Sequence, residues 1–251
     1  MFFRKFFARK LFRKVPQITI YFWIIKLLTT AMGESTSDSL VHNIDPIIAV
    51  ILGGIFFIAS LTLQLWVRRY IAFVYWLAVT MVAIFGTMAA DVLHIVLDVP
   101  YFASTIFFTA ALIFTFTLWQ KIEKTISIHS IYTPRREIFY WLTIVITFAL
   151  GTALGDMTAT TLKLGYFISG IVFGIFFFIP LLGYKVFKVN KVFAFWFSYI
   201  LTRPFGASFA DWFGRSKDLG GIGFGTELTS LILTVFIILF VFYLTISKKD
   251  A

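Results

Sequence analysis

Apolar runs long enough to cross a bilayer alternate with short polar connections along the whole chain. By length and periodicity they predict eight helices, over about 17 to 40, 46 to 68, 71 to 93, 100 to 121, 137 to 160, 164 to 186, 191 to 213 and 223 to 247. Every second run, starting with the first, is broken by polar residues at the same places.

Those places define a repeat. With a Trp taken as position zero, a Gly falls at +10 and an Asp at +15: Trp23, Gly33, Asp38; Trp76, Gly86, Asp91; Trp141, Gly151, Asp156; Trp196, Gly206, Asp211. An aromatic residue precedes each Trp (Phe22, Tyr75, Tyr140, Phe195), and Ser37, Ala90, Gly155 and Ala210 occupy +14. Each copy is thus a small-xxx-small helix face followed by a carboxylate, and such faces let helix backbones approach closely in lipid. Gly33, Gly86, Gly151 and Gly206 are the expected packing positions. The register continues to +22, which reads Asp45, Asp98, Lys163 and Asp218.

Internal self-similarity of this kind implies repeated units. We expect an all-α membrane protein with eight transmembrane helices, built from four parallel two-helix repeats. The segments are 1–15, a basic amphipathic stretch; 16–70, 71–124, 137–188 and 189–251, the four repeats; and 125–136, a cytoplasmic linker containing Pro134 between two halves.

Composition removes the soluble alternative. The chain is 60% hydrophobic, 20% aromatic and 14% charged, with a mean hydropathy of +0.92, more apolar surface than a soluble core of 251 residues can hide. It has no Cys, which excludes disulfides, thiolate metal sites and thiol catalysis. The net charge of +10 lies in connections. Arg4, Lys5, Arg9, Lys10, Arg13, Lys14, Arg68, Arg69, Lys121, Lys124, Arg135, Arg136, Lys185, Lys188, Lys191, Lys248 and Lys249 fall on one side, against Lys163, Arg215 and Lys217 on the other. The positive-inside rule then puts both termini in the cytoplasm, N-in and C-in, which in a bacterium means the inner membrane. The stretch MFFRKFFARKLFRK is expected on anionic lipids, with no nucleic-acid partner. Trp23, Trp76, Trp141 and Trp196 would serve as interface anchors on the lipid bilayer.

The candidate chemistry is carried by acids. Lys26, Thr30, Glu34 and Asp38 recur every four residues and share one helix face. Lys26 is close enough to the helix start to snorkel to the cytoplasm. Asp91 is followed at i+3 by His94, a pair able to share a cation, although His94 reads as a solvated loop residue, as does His42. Thr87 and Thr152 precede the second and third Asp, and a membrane-helix Thr commonly bonds back to its own helix carbonyls. Arg203, beside Pro204 in mid-span, needs a carboxylate partner, for which Glu227 at the start of the last span is a candidate; Glu227 is otherwise an extra ligand.

The helical rise puts each Asp about 22 Å beyond its Trp, towards the negative end of the helix dipole, so something positive should compensate it. If the four copies surround one axis, the acids converge on an outer vestibule rimmed by Asp45, Asp98 and Asp218. The expected function is a carrier translocating a cation such as Mn²⁺ or Mg²⁺ in exchange for protons. Its metal ligands would be Asp38, Asp91, Asp156, Asp211, Glu34 and Glu227, with Arg203, Thr30, Thr87 and Thr152 along the pathway. Two alternatives stand beside it: a non-transport scaffold or sensor whose Asp residues are structural, and a transporter of an organic or anionic solute centred on Arg203. No nucleophile and base are arranged for an enzyme, and no cofactor is expected beyond the transported cation.

At these residues the chain resembles a bacterial membrane-protein family of four tandem two-helix repeats of unknown function, the uncharacterised membrane-anchored proteins. The resemblance covers about residues 17 to 247, with the four Trp matching the family's Trp. It implies the repeat architecture and carries no activity.

Overall fold

The computed structural model describes residues 13–187 and 189–250; most of the basic N-terminal stretch lies outside them. Among the described residues run eight α-helices: α1 Ile20–Asn43, α2 Pro46–Trp66, α3 Ala72–Asp91, α4 Tyr101–Glu123, α5 Pro134–Asp156, α6 Gly165–Phe187, α7 Lys191–Gly214 and α8 Thr226–Ser247. Their starts follow local chemistry. Thr19, Asp45, Thr133 and Asn190 accept from backbone N–H groups at the beginnings of α1, α2, α5 and α7, and Pro46 and Pro134 occupy first-turn positions where no N–H is needed.

Five segments, Pro46–Trp66, Ala72–Val96, Tyr101–Glu123, Pro134–Thr161 and Thr226–Ser247, are long and apolar enough to cross a membrane, as an integral membrane protein requires. α1 and α7 carry charged and polar residues in their middles, and their place in the structure explains how these are accommodated. α1 packs on α3, α3 on α5, α5 on α7, and α7 back on α1, so the four motif helices form a closed inner ring. The others lie outside it, with Ile51 and Phe56 of α2, Phe107 and Phe114 of α4, Ile175 and Phe178 of α6, and Leu231 and Phe242 of α8 all exposed. Water would not tolerate such a surface; lipid does.

The repeat in sequence is not the pair in space. α2 leans on α3, α4 on α5, α6 on α7 and α8 on α1, whereas among the described residues α3 and α4 barely touch, nor do α5 and α6. The second helix of each repeat therefore buttresses the first helix of the next, and α8 closes the circle.

The glycines explain why the ring closes. A Cβ on Gly33 would run into Ala83, one on Gly151 into Arg203 and one on Gly206 into Thr30, while one on Gly86 would stand 3.1 Å from Phe148 Cβ. Ala83, Phe148, Arg203 and Thr30 are all +7 residues. Each +10 glycine thus receives the +7 residue of the following copy, cyclically.

The same rotation governs the other end. Ring centroids lie 5.7 Å apart for Phe22 and Trp76, 5.7 Å for Tyr75 and Trp141, 6.2 Å for Tyr140 and Trp196, and 5.7 Å for Phe195 and Trp23. Two matching registers along one ring mean that the four motif helices run parallel.

This corrects the expected role of the tryptophans. Trp76 and Trp141 are 2% exposed and Trp196 is 4% exposed, and Trp196 Nε1 donates to Ile126 O at 2.8 Å. They form the core of an aromatic layer closing the bundle, where they bury far more apolar surface than an interface position would; of the four, Trp23 alone is partly exposed.

Segments distant in the chain are tied below that layer. Lys14 forms a buried ion pair with Glu137, which also accepts from Gln64 Nε2 at 3.1 Å. Gln17 N donates to Asp250 O at 2.8 Å, and the Tyr70 hydroxyl donates to the Asp250 carboxylate. Burial pushes the Asp250 carboxyl and the Tyr70 phenol above their ordinary values. The linker takes part: Ile128 and Ile131 are buried in the core and Lys14 N donates to Ile131 O at 3.1 Å. It fastens the two halves together.

Candidate functional site

Within the ring, the positions +3, +7, +11 and +15 stack as layers, because spacings of three and four keep them on one helix face. At +3, just above the aromatics, lie Lys26, Val79, Ile144 and Tyr199, all buried. Lys26 does not snorkel. It is 1% exposed, with its ammonium 3.9 Å from the Phe148 ring centroid and 4.3 Å from that of Tyr199. The aromatic layer between it and the helix starts blocks the route to water, and the ring faces supply cation–π attraction.

Arg203, at +7, is the centre of the next level. Its Nη1 donates to Thr30 O at 2.8 Å, and its Nη2 donates to Thr152 Oγ1 at 2.9 Å, to Thr87 Oγ1 and to the Glu34 carboxylate. Glu34, Thr87 and Thr152 are the +11 residues of the other three copies. The Thr hydroxyls donate back to their own helices, Thr87 to Ala83 O at 3.0 Å and Thr152 to Phe148 O at 3.1 Å, which leaves their oxygens free to accept from Arg203. One arginine thereby joins all four repeats in a buried network.

The partner of Arg203 is Glu34, in place of Glu227. Glu227 is exposed and accepts from Asn43 Nδ2 at 2.9 Å. The first turn of α8 lies at the outside of the ring, so its carboxylate neither reaches Arg203 nor joins the other acids. The position of Pro204 is also explained: α7 stays helical through it, and its ring lies against Gly151 and Gly155.

At +15 the four Asp residues converge. Asp91 is within electrostatic reach of Glu34, Asp38 and Asp211, and Asp156 of Glu34, Asp211 and Asp91. They divide into two pairs. Arg215 serves the first, with Nε donating to Asp211 Oδ1 at 2.8 Å and Nη2 to Asp38 Oδ2 at 3.1 Å. It supplies the positive charge that the carboxylates at these helix ends require. Its spacing of i+4 from Asp211 was the available signal.

The second pair is Asp91 and Asp156. A carboxylate oxygen from each and a ring nitrogen of His94 all lie within 4.8 Å of one another. His94 is no solvated loop residue: it is 8% exposed, its ring packs at a tilt against Tyr101 with centroids 4.3 Å apart, and Nε2 lies 2.7 Å from Ser104 Oγ. The backbone brings it in. Immediately after Asp91 the chain makes a π-helical turn, Val92–Val96, and after Asp156 an equivalent one, Met157–Thr161. Among the described residues repeats one and four have no such turn, and π-turns frequently accompany functional positions.

The loop position +22 carries less than expected. Asp98 and Lys163 both adopt left-handed backbone, φ 52° and 56°, as they follow these turns, while Asp45 caps α2 through bonds to Ile47 N and Ile48 N. His42 is exposed, with Nδ1 2.6 Å from Asp38 O.

The axial column therefore holds Glu34, Asp38, Asp91, Asp156 and Asp211 against Lys26, Arg203 and Arg215, an excess of acids over bases among the described residues. That excess faces the end of the ring where Asp38, Asp91 and Asp156 are partly accessible. No curated protein and no solved structure matches the chain. A family model described as a Repeat of Unknown Function (DUF347) matches it four times, over residues 21–70, 74–125, 139–190 and 194–250, and the chain belongs to that family.

Proposed function

We propose that this protein is a carrier that moves a divalent cation across a membrane in exchange for protons. In this reading all eight helices cross the bilayer, with α1 and α7 shielded inside the ring, both termini in the cytoplasm and the Asp end facing outward. The bacterial inner membrane is the setting that the basic connections favour.

The observation that supports it is the meeting of four repeat-related carboxylates around one axis, with one arginine bonded to two of them. Carboxylates within reach of one another and of Glu34 attract cations, and protons replace a departing cation at the same oxygens. The column beneath is closed by Arg203, Lys26 and the aromatic layer. Passage requires the glycine crossings to shift against one another, as packed helices do in shear motions.

The test is flux in vesicles containing the purified full chain, loaded with a Mn²⁺- or Mg²⁺-sensitive dye and a pH dye. Cation entry with proton exit, lost in Asp156→Asn, is expected. Equal flux in protein-free vesicles, or flux indifferent to Asp156, would sink the carrier.

A second reading, a scaffold or sensor, is favoured by the packed lower half of the axis, where Val79, Ile144, Phe148 and Tyr199 are all 0–1% exposed. It gives cation binding without flux. Transport of an anionic solute at Arg203 is less well supported, because Glu34, Thr30, Thr87 and Thr152 already occupy both terminal nitrogens of its guanidinium.

A further inference from the structure

We propose that Asp91, His94 and Asp156 form a binding site for a first-row divalent transition-metal ion, selected over Mg²⁺ and Ca²⁺ by the imidazole of His94. This deepens the carrier reading by naming the class of ion and the residues that discriminate it.

The geometry starts from two carboxylate oxygens and one imidazole nitrogen within 4.8 Å of one another. That is the scale on which three ligands surround one ion, since metal–oxygen and metal–nitrogen bonds of about 2 Å put neighbouring ligands roughly 3 to 4 Å apart. A buried His gives the independent pointer. His94 is 8% exposed, and its Nδ1 is buried with no hydrogen-bond partner among the described residues. An orphaned nitrogen in such a place is costly unless something binds it.

The hydrogen-bond network assigns that nitrogen its role. Ser104 Oγ lies 3.1 Å from Tyr101 O and donates its proton there. Its oxygen then accepts from His94 Nε2–H at 2.7 Å. The neutral ring consequently carries its lone pair on Nδ1, the atom left without a partner. A ligating His is ordinarily held in this way, its second N–H donating to a neighbouring oxygen that fixes ring and tautomer.

Both carboxylates are half-buried, so the site is supported by protein yet reached from the end of the ring. Asp38 and Asp211 are engaged by Arg215 and do not compete. The site is also peculiar to two repeats. In copies two and three the π-turns after Asp91 and Asp156 end the α-helices at the carboxylates, and the first of those turns contains His94. At the corresponding +18 position the other copies have Val41, Ala159 and Gly214, none able to ligate.

Oxygen-only sites take Mg²⁺, Ca²⁺ and Mn²⁺ alike, whereas adding imidazole favours first-row transition metals over Mg²⁺ and Ca²⁺. The experiment is Mn²⁺ binding to the purified full chain in detergent, followed by the loss of the free-ion electron paramagnetic resonance signal, with Mg²⁺ and Zn²⁺ as competitors. One Mn²⁺ per chain is expected, displaced by Zn²⁺ and resistant to a large excess of Mg²⁺. His94→Ala should weaken Mn²⁺ at least tenfold and narrow the preference over Mg²⁺. Ser104→Ala, which leaves every ligand in place, should weaken it by roughly 10- to 100-fold.

Mn²⁺ binding indifferent to both variants, or Mg²⁺ displacing Mn²⁺ at equal concentration, overturns the site. If His94→Ala does not fold, as judged by its gel-filtration profile, Ser104→Ala alone decides. Flux and binding fail separately. Binding without flux overturns the carrier and leaves the site, while flux accompanied by Mn²⁺ binding that ignores both His94→Ala and Ser104→Ala overturns the site and leaves the carrier.

Discussion

Arg203 of the fourth repeat donates to the carboxylate of Glu34 in the first, and both side chains are almost wholly buried, at 1% and 3% exposure. The pair spans the join where the end of the chain meets its beginning. It closes the inner ring electrostatically, as Gly206 against Thr30 closes it sterically.

Removing one member should therefore cost more than removing both. Arg203→Met leaves the Glu34 charge buried and unpaired, a loss of about 3–5 kcal/mol for such pairs. The double variant Arg203→Met, Glu34→Gln should recover most of it. Thermal unfolding in detergent, followed by tryptophan fluorescence, checks the order. A double variant no more stable than Arg203→Met would show that the charge pair is not what closes the ring.

The glycine crossings should differ in tolerance. Gly206→Ala drives a methyl into Thr30 and the α1 backbone, whereas Gly86→Ala meets Phe148 Cβ at 3.1 Å, where a few tenths of an ångström suffice. Overpacking at a rigid contact costs about 1–3 kcal/mol, so Gly206→Ala is expected at the upper end and Gly86→Ala below it. The same unfolding measurement ranks them.

Glu227 separates sequence proximity from participation. Exposed and bonded to Asn43, it stands apart from the axial acids, so Glu227→Gln should leave flux and Mn²⁺ binding close to those of the parent chain. Asp156→Asn should remove both. Parallel vesicle and binding assays make the comparison, and equal losses would mean that the acid cluster extends beyond the four repeat positions.

The tie at the other end of the bundle should depend on pH. Burial raises the Asp250 carboxyl above its ordinary 3.8, against the opposing pull of Tyr70 and Arg13. The folded state accordingly binds its proton more tightly than the unfolded chain does. This contribution favours folding at low pH and is lost as pH rises from the ordinary carboxylate value through the raised one. Asp250→Asn, which keeps an acceptor for Tyr70 without the charge, should flatten that part of the stability profile. Melting temperatures measured from pH 4 upward would show it, and a variant with the parental slope would exclude Asp250 as the titrating group.

Much of the site is legible in the sequence, because a repeat confines its residues to a register. The +15 acids and +10 glycines could be placed on common faces from spacing alone, and Arg203, Thr30, Thr87 and Thr152 could be grouped as polar positions along one pathway. A single copy does not show what its neighbours cover. Lys26 was close enough to a helix start to snorkel, and the tryptophans had the position of interface anchors. The neighbouring copies cover both, since the aromatic pair of each repeat packs on the next. From the sequence His94 pairs with Asp91 at i+3 but reads as a solvated loop residue, and Arg215 reads as an outer-side loop cation, because each is completed by a residue distant in the chain, Asp156 for one and Asp38 for the other.

The order of residues by itself determined a helical membrane protein of four repeated units, since length, hydropathy and helical period act locally and need no partner. The tertiary structure decided that each repeat's second helix braces its successor, that Glu34 answers Arg203, and that four acids divide into a pair held by Arg215 and a pair beside His94. Those outcomes depend on which helix lies next to which. The close approaches at four glycines fix that choice only when all the copies are packed together.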